Sequence, residues 1–574
     1  MTQAEVTKGS AGNGTETAEN GATTATTVPA ISFGAWPSPI TAADVARSRL
    51  RLGYPVVMGG EVWWQEARPE EGGRVTVVHR SAGGKLTDVL PAPWNARTRV
   101  HEYGGLSYLP VPRASARPAA AGGRAPRGHV ILFANYADQR LYVAGADVAD
   151  GKGAPHPITP DPVTTDPAAT GTGSGAAGTG RGTAALRYAD FVLSPDRREV
   201  WCVREAHSGG KVTRAIVAVP LDGSAADDPA AVRELVTGSD FFAFPTPSPD
   251  GTRLAWISWN HPHMPWDGTE LRVAPIARGG KGTVGQGRLV KGGLRESVLA
   301  PVWRDNTSLY VATDWTGWWN IYQVGLAGEP PQALYPAEEE FVGPLWQLGG
   351  RPFAVLGDGR LAVVHGRGGL RLGLLDPETS ELTDLDLPLV EFGPVLSADG
   401  TALVALAGGP AQPLSIIRVD AATSGMEVLR REFDEVPDDA YLPVPRHVEL
   451  EGRYGRVVHA LVYAPASPDA AGPGGELPPY VVWVHGGPTA HAVGLLDLEK
   501  AYFTSRGIGI IDVNYGGSTG YGRLYRERLR RQWGVVDVED VMAAARSMAG
   551  TGVADPARLA IRGGSAGGWT ALAS

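Results

Sequence analysis

The sequence predicts two domains of different class: a β-propeller of about seven blades, followed by an α/β domain. Three observations carry that reading. A turn signature recurs through the middle of the chain, the segments around it are short apolar runs without a sustained helical period, and after about Asp434 strands and helices alternate. A length of 574 residues agrees, because one hydrophobic core rarely serves more than roughly 250–300 residues.

Residues 1–35 read as a disordered leader, rich in Thr, Ala, Gly and Glu and without the basic and apolar regions of a secretory signal. The propeller is expected over 36–433. Its clearest turns are Ser194-Pro195-Asp196 and Ser248-Pro249-Asp250-Gly251, with weaker copies at Arg304-Asp305-Asn306, Gly357-Asp358-Gly359 and Ser397-Ala398-Asp399-Gly400. Asp and Gly supply the turn geometry, and each copy leads into an apolar strand. The copies recur about every 40–55 residues, the length of one four-stranded blade. Strand clusters expected at 56–66, 130–143 and 341–355 bring the count to about seven. Inserts at 113–127 and 151–182 hold too few large apolar residues to be buried and read as surface loops. Trp256, Trp259, Trp315, Trp318 and Trp319 read as blade packing, and Glu70 with Glu71 as a solvated hairpin tip.

Over 434–574 the pattern becomes that of a doubly wound sheet. Strands are expected at 446–451, 457–464, 480–484, 508–513 and 559–561, with helices at 495–505 and 535–548. Asp537 and Asp540 lie one turn apart on the second helix and read as structural.

Composition removes several classes of function. The net charge of −9, with no long Lys/Arg block, argues against nucleic acid and against a polybasic membrane contact. No stretch of about 18 apolar residues offers a membrane span. The single cysteine, Cys202, allows no internal disulfide, and no Cys/His cluster has zinc-ligand spacing. No phosphate-loop motif occurs. No cofactor or metal is expected, and the cytoplasm is the expected compartment.

The chemistry is expected at Gly563-Gly564-Ser565-Ala566-Gly567, a Gly-x-Ser-x-Gly between a strand and a helix start. That context is the nucleophile elbow: Ser565 sits on a strained turn, with Gly563 and Gly567 leaving room around it. The Ala566 amide then faces a forming oxyanion. One βαβ unit earlier, the strand at 480–484 runs into His485-Gly486-Gly487-Pro488, a second arm of an oxyanion hole, with Gly487 as the expected donor. Between them, at the carboxyl end of the strand at 508–513, lies Asn514-Tyr515-Gly516-Gly517-Ser518-Thr519-Gly520-Tyr521-Gly522-Arg523, where open α/β sheets place ligands.

Together, the propeller and these three motifs resemble the prolyl oligopeptidase family of serine peptidases, in particular its acylaminoacyl-peptidase and dipeptidyl-peptidase-like branch. The segments Arg99–Gly105 and Met264–Leu271 resemble the same branch. The resemblance implies an α/β-hydrolase fold for 434–574 and a propeller that restricts entry to short peptides, with Ser565 acylated. In that fold the triad Asp and His follow the serine, whereas all twelve histidines here precede Ser565. The chain is therefore expected to be truncated at its C-terminus by on the order of a hundred residues, and to be nearly inactive alone. A carboxylesterase and a non-catalytic propeller scaffold are the alternatives. Short peptides are the expected partners, with self-association into a homo-oligomer left open.

Overall fold

The computed structural model describes residues 28–113, 128–149, 151, 153–161, 186–276, 284 and 287–574. Among them, seven four-stranded antiparallel sheets follow one another, each made of four consecutive strands. Their first strands are Arg51–Met58, Tyr108–Pro112, Leu186–Leu193, Phe241–Pro247, Val298–Trp303, Phe353–Val355 and Glu391–Asp399. Neighbouring first strands touch around most of the ring, so they lie toward its middle.

The recurrent turns join the first and second strands of blades three to seven. Local bonds explain why they are legible: Ser248 Oγ donates to Asp250 at 2.7 Å, and the amides of Thr252 and Arg253 close back onto Asp250 and Ser248 at 3.0 Å. Ser194 and Asp196 repeat the arrangement.

No strand is shared between the first and last blades. Side chains close the ring instead: Leu52, Val62 and Trp64 pack on Val404, Leu406 and Ile416, and the buried Glu66 pairs with Arg430 at 2.8 Å.

Three expectations change. The cluster expected at 341–355 is a strand only at Phe353–Val355, because Gly343-Pro344, Gly349-Gly350 and Pro352 interrupt pairing. Trp256 and Trp319 are fully buried, but Trp315 is exposed beneath Lys291 Nζ, 3.9 Å from its ring centroid. Of the segment taken as a leader, 28–35 packs on the second domain: Ala30 bridges Ala471, the Gly34 amide donates to Arg506 O at 2.9 Å, and the adjoining Trp36 is buried. Residues 1–27 and most of both expected inserts lie outside the described residues.

The second domain has a five-stranded sheet in the order Arg446–Glu451, Val457–Tyr463, Gly509–Asn514, Tyr480–Val484, Leu559–Gly563. The first three are antiparallel neighbours and the last three parallel ones. Helix Val536–Gly550 covers one face through Val541, Ala544 and Met548, against Val482, Ile511 and Val513. Helix Leu498–Thr504 and the segment at 28–46 lie together, with Ile40 against Ala501 and Leu442. Asp537 accepts from Thr570 at 2.6 Å and Asp540 from the Gly516 amide at 2.9 Å, so both carboxylates tie structure together.

The two domains meet through a buried ionic cluster. Asp314 accepts from Arg523 at 2.7 Å and Arg526 at 2.8 Å, while Glu340 accepts from the amides of Trp319 and Gly522 and faces Arg526 at 3.8 Å. Burial pushes the Glu340 carboxyl up to about 7, against the pull of Arg526 and with a push from Asp314. A raised carboxyl binds its proton more tightly in the folded state. Its stabilisation is therefore complete below the ordinary carboxylate pKa of roughly 4.3 and is lost as pH rises toward about 7. Denaturation midpoints between pH 5 and pH 8 should fall with pH more steeply in the natural protein than in Glu340→Gln. Equal slopes would remove Glu340 as the cause.

Candidate active site

Strand Leu559–Gly563 ends where helix Ala566–Ala573 begins, and Ser565 makes the turn with φ 54° and ψ −121°. A non-glycine residue held there costs about 1–3 kcal/mol. Close packing holds it: a methyl group on Gly563 would overlap Gly567 O, and one on Gly567 would overlap Val484 O. The elbow is thus pressed onto the end of strand Tyr480–Val484, where His485-Gly486-Gly487 begins. Gly486 lies so near that an added Cβ would stand 3.3 Å from Ser565 Cβ.

Gly487 adopts φ 51°. Among the described residues no acceptor takes its N–H, and the Ala566 N–H, in the first turn of its helix, has no intrahelical partner. Both remain free beside Ser565, at a helix end whose dipole favours negative charge.

His485 serves the loop. Its ring stacks on Tyr515 with centroids 4.4 Å apart, Nδ1 meets Gly486 O at 3.0 Å, and Nε2 meets Ser518 Oγ at 2.7 Å. Burial lowers its pKa. Tyr515 OH donates to His485 O at 3.1 Å, so the Gly-rich segment after Asn514 supports the His-Gly-Gly turn from behind. Among the described residues no histidine hydrogen-bonds the Ser565 hydroxyl. His459 is stacked on Tyr521 at 3.9 Å, and with His447 it lines a separate small cavity.

Ser565, Gly486 and Gly487 form one wall of a cavity of about 510 Å³ whose other walls belong to the propeller. Tyr54, Phe244, Leu345 and Trp346 are among its lining. Sequence reading did not find these residues. The first strands of blades one, four and five each carry a register shift, with Tyr54, Phe244 and Ala300 at positive φ, and such bulges re-aim side chains. Nothing in the sequence marks those bulges, although Gly53 beside Tyr54 is a weak signal.

A second cavity, about 920 Å³, lies where the chain crosses between domains and includes none of these groups. Glu70 and Glu71 line it, and Glu71 is paired with Arg74 at 2.5 Å. Among the described residues there is no cluster of three or more His, Cys, Asp or Glu able to hold a metal ion, and no helix long and apolar enough to cross a membrane.

Residues 495–574 match the prolyl oligopeptidase family, and residues 191–364 match the lipoprotein LpqB β-propeller domain. The whole fold is similar to a puromycin-hydrolysing peptidase of Mycobacterium tuberculosis: 59% identity and a TM-score of 0.85, over 95% of this chain and 78% of that one. Shorter stretches are similar to the acylamino-acid-releasing enzyme of Arabidopsis thaliana (35% identity, 17% of this chain and 12% of that protein). The dipeptidyl aminopeptidase BIII of Pseudoxanthomonas mexicana is similar at 30% identity, over 30% of this chain and 25% of that protein. The chain spans between 12% and 26% of the length of the curated relatives it matches.

Proposed function

This chain belongs to the prolyl oligopeptidase family, and from that premise we propose that it is a serine peptidase hydrolysing short peptides of acylaminoacyl or dipeptidyl type, with Ser565 as the nucleophile. The observation that carries this reading is the pair of unengaged amides, Ala566 and Gly487, flanking a strained Ser565 at a cavity wall.

Ser565 Oγ attacks the carbonyl carbon of the scissile amide as its proton passes to a general base. The carbonyl oxygen becomes an oxyanion held by Ala566 and Gly487, each donor worth about 2.7–4 kcal/mol in the barrier. Collapse breaks the C–N bond, the amine leaves with a proton, and the acyl group remains as an ester on Ser565 until water releases the acid. His485, Gly486 and Tyr515 hold the second donor in place, while Gly563 and Gly567 let the elbow form. The propeller walls leave room for small acyl and aminoacyl amides, and the similar peptidase of Mycobacterium tuberculosis hydrolyses puromycin, which makes puromycin the first substrate to try. We also propose a cytoplasmic location, on the composition and the lone buried Cys202.

The test compares puromycin and an aminoacyl anilide with a simple acyl ester, using the natural protein, together with labelling by a fluorophosphonate. A peptidase cleaves the amides and carries the label on Ser565. Ester hydrolysis without amide hydrolysis would make it a carboxylesterase, and no label would leave the propeller as the functional part.

A further inference from the structure

The Gly-rich segment after Asn514 touches both the His-Gly-Gly turn and the propeller. On the first side five hydrogen bonds hold residues 485–492. Tyr515 OH reaches His485 O, Ser518 Oγ meets His485 Nε2, and Thr519 Oγ1 donates to Thr489 O at 2.6 Å. The Thr519 amide donates to Ala490 O at 3.2 Å, and Asn514 Oδ1 accepts from the Ala492 amide at 2.7 Å.

On the second side the same segment is pinned to blades four to six. The Arg523 amide donates to Gly317 O at 2.7 Å and its guanidinium to Asp267 O at 2.6 Å and Asp314 at 2.7 Å. Arg526 donates to the same Asp314 oxygen at 2.8 Å and lies over the Trp319 ring, 4.0 Å from its centroid. The Gly368 amide donates to Gly520 O at 2.9 Å. Asp314 and Arg526 are both buried, so neither charge can be met by water if its partner is lost.

We propose that Asp314, although it belongs to the propeller, is a positioning residue for the oxyanion hole, acting through Arg523 and Arg526 on the segment at 514–522 and thence on Gly487. The propeller thereby sets the catalytic rate as well as the access route. A donor displaced by a fraction of an ångström from the oxyanion loses much of its worth, because it acts on charge that appears only in the transition state. This inference rests on the reading of Ser565 as nucleophile.

The experiment measures kcat and KM for an aminoacyl anilide with the intact natural protein carrying Asp314→Asn, Thr519→Val, or both. Thr519→Val removes one of the five bonds of the relay inside the hydrolase domain without touching the propeller contact. Each single variant should lower kcat about tenfold or more while KM stays within about twofold. The double variant should lose little beyond the larger single loss, because both changes act on one path. Losses that multiply, or an Asp314→Asn protein with lowered thermal midpoint and unchanged kcat, would overturn the proposal. If Asp314→Asn does not fold, Arg523→Lys takes its place: it keeps the charge but cannot reproduce the forked contact with Asp267 and Asp314. A Ser565→Ala protein that still cleaves the anilide would refute the nucleophile instead, so the two failures are distinguishable.

Discussion

Ser565→Ala should lower kcat for amide hydrolysis by roughly three to six orders of magnitude in the natural protein and abolish fluorophosphonate labelling. The loss is chemical, since alanine offers no oxygen to acylate, while the two amides and the cavity stay in place. Folding should be almost untouched: among the described residues the Ser565 hydroxyl makes no hydrogen bond, and alanine at φ 54° bears the same backbone strain. Ser565→Gly separates the two effects. It should be equally inactive yet more stable, by about 1 kcal/mol or more, because glycine accepts that conformation freely. Equal denaturation midpoints for the alanine and glycine variants would show that the elbow stores no strain.

Gly567→Ala should do the opposite, removing activity by removing the fold of the elbow. Its methyl group would overlap Val484 O and stand 2.6 Å from His485 O, both backbone atoms. Val484 belongs to a strand paired on both sides, with Gly509–Asn514 and Leu559–Gly563, so it has nowhere to move. Overpacking against so fixed a neighbour costs on the order of 3 kcal/mol or more. Gly564→Ala is the control, since a methyl group there meets nothing within 4 Å. Urea midpoints of the two variants should differ widely; matching midpoints would mean that the strand end yields.

Much of the elbow and the His-Gly-Gly turn was legible because their geometry depends on side chains that are absent. Gly563, Gly567 and Gly486 stand where a Cβ collides, and a sequence displays such positions directly. The blade turns were legible for a related reason, as Ser248 and Asp250 close their bonds within five residues. The cavity was not legible. Tyr54, Phe244 and Trp346 converge from separate blades through bulges and an irregular loop, and no local pattern encodes that meeting. The role of Asn514–Arg523 was half visible: its place after an apolar strand marked it, but its grip on Asp314 depends on a propeller loop some two hundred residues earlier. The docking of 28–36 was hidden by composition, because a Gly- and Thr-rich opening disguises Phe33 and Trp36.

That docking also sets the order in which the molecule can be made. Residues 28–46 lie on the second domain, the chain enters the ring near Leu50, and it returns at Glu432, whose carbonyl accepts from the Leu50 amide at 3.2 Å. The whole propeller is therefore an insertion between two pieces of one hydrolase unit. On a ribosome, the opening segment emerges first, but Ala471 and Arg506 follow only after the entire ring, a wait of tens of seconds at about 5–20 residues per second. Phe33 and Trp36 spend that interval without their partners. The ring, built from consecutive strands and closed without a shared strand, can finish in the meantime and bring the two ends of the interrupted domain together.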